Sequence, residues 1–80
     1  MNKEVLAFGR VIQKQRKLLK MTQEELAYRS SLNRTFISYV ENGRKIASIV
    51  SLFAFARGLH IPAADLIRQV EDELNRLSDR

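Results

Sequence analysis

Arg34, Thr35, Ser38 and Tyr39 put a guanidinium, two hydroxyls and a phenol within six residues, and at about 100° per residue they share one side of a helix. Ile37 and Val40 point the other way, with Glu41 at the edge of that apolar face and Phe36 between the two sides. One face can complete a core while the other meets a polar partner. The chemistry on offer is base recognition. A guanidinium donates two hydrogen bonds to guanine O6 and N7, and a threonine offers a methyl to thymine and a hydroxyl to a base edge or phosphate. Ser38 and Tyr39, one turn later, could reach further bases or a backbone oxygen. Taken alone, an exposed arginine is more often a solvated charge, Tyr39 is equally consistent with rim packing, and Phe36 more so. The elements that position these residues must decide.

Thr22 followed by Glu25 makes a capping box, and the acidic first turn of Gln23–Glu24–Glu25 suits a helix start. Leu26 and Ala27 give that helix a buried side. After the polar pair Ser30–Ser31, Leu32 plugs a turn and Asn33 caps a second helix that runs to Asn42 and stops at Gly43. Two short amphipathic helices joined by a tight turn outline a helix-turn-helix, which sets its second helix into a DNA major groove while the first crosses the phosphate backbone. Gln23, Arg44 and Lys45, with the free N–H groups at both helix starts, are placed to grip phosphates; Asn33 and Phe36 border the same surface and complete the expected phosphate-contacting set. Such contacts make affinity fall steeply with salt.

Composition agrees with a polyanionic partner. The net charge is +5, but residues 1–60 carry 11 Lys/Arg against 4 Asp/Glu, whereas residues 61–80 carry 3 against 5. Eighty residues with 45% apolar content make one small domain of marginal stability, for which a partner subunit would help. The absence of cysteine excludes thiol catalysis and thiolate metal sites and fits a reducing cytoplasm. A single histidine, His60, builds no metal cluster, and it is expected to be a plain junction residue. With no nucleophile beside a base and no Gly-rich phosphate loop, neither an enzyme nor a cofactor is expected. The longest apolar-rich run, Ile46 to Ala56, is interrupted by serines and is shorter than the roughly 20 residues that span a bilayer, so no membrane partner is expected.

The pattern predicts five helices and no strand. The first runs from about Lys3 to Leu19 with Val5, Phe8, Ile12 and Leu19 on one stripe. The helix-turn-helix pair follows. Ser48 caps a fourth helix with Ile49, Leu52, Phe55, Ala56 and Leu59 at helical spacing, where Gly58 permits close packing or frays the end. Pro62 suits the first turn of a fifth helix that reaches about Ser78, with Glu71–Asp72–Glu73 on its wet side.

Thr22–Gln23–Glu24–Glu25–Leu26–Ala27, then Ile37–Ser38, Glu41–Asn42–Gly43 and Leu52, resemble the Cro/C1-type (XRE) helix-turn-helix family of phage repressors and bacterial regulators over about residues 8–66. The resemblance implies an all-α, five-helix, lambda-repressor-like DNA-binding domain with the motif in helices two and three. Within the family, Tyr28 and Asn33–Arg34–Thr35–Phe36–Ile37–Ser38 are most similar to the controller proteins of restriction–modification systems, small homodimeric regulators that bind operators beside their own genes. The resemblance places Gln23 on the backbone, Arg34, Thr35 and Tyr39 on bases, and Arg16 with Glu41 in an ion pair tying helix one to helix three. If exposed, that pair would contribute only about 0.2–1 kcal/mol. The sequence departs from the family where glycines are frequent, at Lys20 and Ser31, where Ala47 replaces a common proline, and at Phe36, which lacks a tyrosine hydroxyl found in controllers. A positive φ at Lys20 or Ser31 would add roughly 1 kcal/mol of strain each.

Residues 62–78 are expected to form a dimerisation helix. Leu66 and Val70 can close the protomer's own core, whereas Ile67, Leu74 and Leu77, with Phe53 beside them, are left for a two-fold partner. The leading expectation is a homodimeric transcriptional regulator on a pseudo-palindromic operator. Its main rival is an antitoxin or other protein-interaction module of the same fold. Activation would require contact with RNA polymerase, for which an exposed acid such as Glu24 or Glu25 could serve.

Overall fold

A computed structural model describes residues 2–78 of the chain. Five helices follow one another: α1 (Lys3–Leu18), α2 (Gln23–Ser30), α3 (Arg34–Glu41), α4 (Ile49–Gly58) and α5 (Ala63–Ser78), with no strand among the described residues. Four starts are capped by side chains. Asn2 Oδ1 accepts the Val5 N–H at 3.1 Å, Asn33 Oδ1 accepts the Thr35 N–H at 2.8 Å, and Ser48 Oγ accepts the Ser51 N–H at 3.0 Å. At α2 the capping box is reciprocal: Thr22 Oγ1 accepts from Glu25 N–H and Glu25 Oε1 from Thr22 N–H, both at 3.0 Å. Pro62 stands just ahead of α5 instead of inside its first turn, and its carbonyl accepts the first helical bond, from Leu66 N–H at 3.0 Å.

The ends share a device. After each of α1, α2, α3 and α4 the chain turns through a left-handed residue, and the next N–H reaches back to a carbonyl in the last turn: Met21 to Arg16, Leu32 to Ala27, Arg44 to Tyr39, Ile61 to Ala56. Only Gly43 suits that conformation; Lys20, Ser31 and His60 hold φ of 57°, 59° and 58° with a side chain in place. The strain anticipated at Lys20 and Ser31 is present. Lys20→Gly is expected to raise stability by about 0.5–1 kcal/mol, because relief of roughly 1–2 kcal/mol of strain exceeds glycine's added unfolded-state entropy; thermal unfolding checks it.

The core gathers Ile12, Leu26, Ile37, Val40, Phe55, Leu59 and Leu66, all essentially inaccessible to solvent, and Phe8 meets Phe55 edge-on with ring centroids 5.6 Å apart. α1 packs on α3 and α5, and α2 packs on α3 and α4. Two members of the stripes expected on α1 and α4 are exposed. Leu19 is exposed because the left-handed turn at Lys20 brings Met21 inward in its place, and Ile49, the first residue of α4, projects into solvent. Ser30 is also not a solvated turn residue: it ends α2 buried, its Oγ donating to Leu26 O at 2.6 Å.

From its middle onward α5 lies against α1 through polar contacts. Gln15 Nε2 donates to Gln69 Oε1 at 2.6 Å, and Glu73 sits between Arg76 at 2.6 Å and Arg10 at 3.6 Å. Glu73 is therefore largely covered, not on a wet face. Hydrogen bonding from Arg76 outweighs partial desolvation, and with the charge of Arg10 it holds the Glu73 carboxyl below the usual carboxylate range. The stabilisation is fully present above the ordinary carboxylate pKa of ~4.3 and is lost as pH falls through the lowered folded value. Glu73→Gln is expected to flatten the acid limb of a stability-against-pH curve and to leave a smaller difference from wild type at the acid end than at neutrality.

Candidate nucleic-acid interface

α3 is short and sharply two-sided. Ile37 and Val40 are wholly buried, and Arg34 and Thr35 are exposed in the first turn. Tyr39 is 41% exposed one turn later, and Ser38 is half-buried, its carbonyl accepting the Asn42 side-chain N–H at 2.8 Å. Asn33 uses Oδ1 for the cap, accepting from both Thr35 and Phe36 N–H groups, which leaves its Nδ2 as a donor toward solvent. Phe36 belongs to the core: its ring stacks on Phe55 with centroids 6.2 Å apart and planes at 24°. With no polar atom and its ring turned inward, it has no hydrogen bond to give a phosphate.

The orientation of α3 is set from behind. Glu41 is not at the edge of the apolar face; its side chain is 1% exposed and Arg16's is 10% exposed. Arg16 Nε and Nη2 donate to the two carboxylate oxygens at 2.7 and 3.0 Å, and Nη1 donates to Met21 O at 2.8 Å. The hydrogen bond that Arg16 donates to Glu41 raises the guanidinium pKa above its usual value against the opposing effect of burial. Burial changes the scale of the pair. Removing one partner strands a desolvated charge at a cost of about 3–5 kcal/mol, well above an exposed pair. Gly9 lets the two helices touch: a Cβ there would overlap Val40 O and lie 3.1 Å from Glu41 O.

α2 meets the same surface at its start. Gln23 Nε2 donates to Glu41 Oε1 at 3.1 Å, so the first residue of α2 is tied to the last of α3. Leu32, half-buried in the turn, donates its N–H to Ala27 O at 3.1 Å, and the left-handed Ser31 reverses the chain. Arg44 and Lys45 are exposed immediately after Gly43, whose φ of 72° ends the α3 turn. Gln23, Asn33, Arg34, Thr35, Tyr39, Arg44 and Lys45 therefore belong to α3, its flanks and the adjoining end of α2. Net positive charge and free N–H groups at two helix starts suit that surface to phosphates.

A second exposed surface lies on α4 and its approach. Ile46, Ile49, Val50 and Phe53 are 76%, 67%, 74% and 50% exposed, with Ile67 of α5 at 41%. Phe53 and Ile67 were expected to be uncovered; Leu74 and Leu77 are instead half-buried, because α5 lies along α1. Ile46, Ile49 and Val50 escape sequence reading because an apolar residue near the start of a helix does not reveal whether a neighbour reaches it. Gly9 escapes because what demands it lies on another helix.

Residues 12–66 match the helix-turn-helix family profile HTH_3. Control protein C.MunI from Mycoplasma sp. is 35% identical over 74 residues, spanning 91% of this chain and all of that protein. Among solved structures, wild-type restriction–modification controller protein C.Esp1396I superposes with a TM-score of 0.88 at 32% identity, covering 95% of this chain and 99% of that one. The C.Esp1396I tetramer in complex with its natural 35-base-pair operator gives 0.87 at 32% identity, covering 92% and 97%. Controller protein C.AhdI from Aeromonas hydrophila gives 0.78 at 29% identity, covering 81% and 98%. On its helices, its helix-turn-helix geometry and these likenesses together, the chain belongs to the helix-turn-helix family and, within it, to the controller proteins of restriction–modification systems.

Proposed function

We propose that this protein is a sequence-specific transcriptional regulator that binds a pseudo-palindromic operator as a homodimer and controls the operon beside its own gene. The observation that carries this is the anchoring of α3: its inner residues are locked by the core and by Arg16–Glu41, while Arg34, Thr35 and Tyr39 remain free. Arg34 reads guanine, Thr35 and Tyr39 reach neighbouring bases, and Ser38 follows at the groove edge. Gln23, Asn33 Nδ2, Arg44 and Lys45 hold phosphates and fix the register.

The homodimer forms through the apolar face of Val50, Phe53 and Ile67, continued by Ile46 and Ile49, with Leu74 and Leu77 at its margin. A second copy is the natural occupant, since operator-bound C.Esp1396I is a tetramer and a two-fold axis sets two recognition helices about one DNA turn apart. No cofactor enters this role, which is exercised in the cytoplasm. An activating contact with RNA polymerase falls to Glu24, exposed on the outer side of α2, because Glu25 is committed to its capping box.

The test is fluorescence anisotropy with a labelled duplex covering the DNA upstream of the gene, against a scrambled duplex of equal composition. A preference of roughly a thousandfold at physiological salt, with two chains per site, is expected. Equal, purely salt-dependent binding to both duplexes would overturn the proposal and favour a protein-partner role.

A further inference from the structure

We infer that Glu41 is a positioning residue for DNA affinity, acting through the carboxamide of Gln23; this rests on the DNA-binding role proposed above. A primary amide can point either its oxygen or its nitrogen at a neighbour, and for an exposed glutamine the two orientations interchange freely. Gln23 has no such freedom. Its neighbour is a carboxylate, which only accepts hydrogen bonds, so turning Oε1 inward would set two acceptors against each other. The carboxylate cannot swing away either, because Arg16 holds both of its oxygens and Arg16 itself is tied to Met21 O. Nε2 therefore stays on Glu41 Oε1, 3.1 Å away, and keeps one N–H for a second acceptor.

Gln23 is the first residue of α2, so that remaining N–H lies beside the unpaired backbone N–H groups of the helix start. Together they form a set of donors matched to one phosphate. The same carboxylate closes α3. A single buried acid thus couples the phosphate-gripping end of α2 to the far end of the base-reading helix, and Arg16 fixes that acid from α1.

The experiment is a double-mutant cycle of Gln23→Ala and Glu41→Gln, read as the dissociation constant for the duplex upstream of the gene. Gln23→Ala is expected to weaken binding roughly tenfold in the wild-type background, the scale of one hydrogen bond to a charged group, and by much less in the Glu41→Gln background, whatever Glu41→Gln costs by itself through the anchoring of α3. Gln23→Lys, whose ammonium can donate to Glu41 and to a phosphate at once, is expected to keep wild-type affinity or better. An equal loss from Gln23→Ala in both backgrounds would overturn the inference and leave the DNA-binding role intact. Failure of the wild type to prefer its duplex would overturn both. If Glu41→Gln does not fold, the wild-type protein decides by NMR: the Gln23 side-chain N–H is expected to exchange with solvent more slowly than that of Gln13, and equal exchange would contradict the inference.

Discussion

Gly9→Ala is expected to lower stability by about 3 kcal/mol and the melting temperature by roughly 12–24 °C. In an ordinary helix interior the same change stabilises by about 0.5–1 kcal/mol, so its sign turns on the space available. There is none. The added carbon would overlap Val40 O and lie 3.1 and 3.2 Å from Glu41 O and C, all of them backbone atoms that cannot rotate aside. α1 would have to lift from the end of α3, opening the Arg16–Glu41 pair. For a domain of this size, with total stability of about 4–12 kcal/mol, that is a large fraction. Gly58→Ala makes the comparison: its carbon would meet Leu26 Cδ1 and Ser30 Cβ, each at 2.9 Å, and the leucine tip can yield, so a smaller loss is expected on thermal unfolding. Equal melting temperatures for Gly9→Ala and wild type would show that α1 and α3 have room for a methyl group between them.

Phe53→Glu is expected to give a folded monomer that binds the operator at least about a hundredfold more weakly. In the protomer Phe53 is half exposed, one turn after the exposed Val50 on α4, so a glutamate there meets solvent and the fold survives. In a two-fold dimer every interface residue occurs twice, and two carboxylates would enter the same apolar contact without partners. Each chain would then hold only one half-site. Sedimentation at micromolar concentration, circular dichroism and anisotropy separate the outcomes: loss of dimer with retained helix supports the interface, and an unchanged dimer removes this face from it. Leu74→Glu is less informative, since Leu74 is half-buried against its own protomer and the change would disturb α5 as well.

Local signals were legible and long-range ones were not. Thr22 with Glu25, Asn33 and Ser48 announced three helix starts because capping depends on residues two or three apart. The two faces of α3 followed from helical periodicity alone. Burial of Glu41 did not, because a carboxylate at the end of a helix looks solvated until Arg16, 25 residues away, is known to enclose it. Phe36 was drawn to the DNA side by its neighbours in sequence, whereas its ring is held by Phe55 from α4. The stripe of α5 left Ile67, Leu74 and Leu77 for a partner; Ile67 is exposed, but Arg10–Glu73 and Gln15–Gln69 hold α5 on α1 so that Leu74 and Leu77 are half-buried, while Ile46, Ile49 and Val50 are exposed at α4 and its approach. In each case the missing term was a tertiary contact.

Selection of bound sequences from random duplex DNA at moderate salt, run in parallel with wild type and Arg34→Ala, decides whether α3 reads bases through Arg34. A pseudo-palindrome with half-site centres about 10 bp apart is expected, carrying a guanine whose preference drops by about 1–3 kcal/mol in the variant while the other positions persist. Recovery of no enriched sequence, or of the same guanine preference from both proteins, would contradict that role.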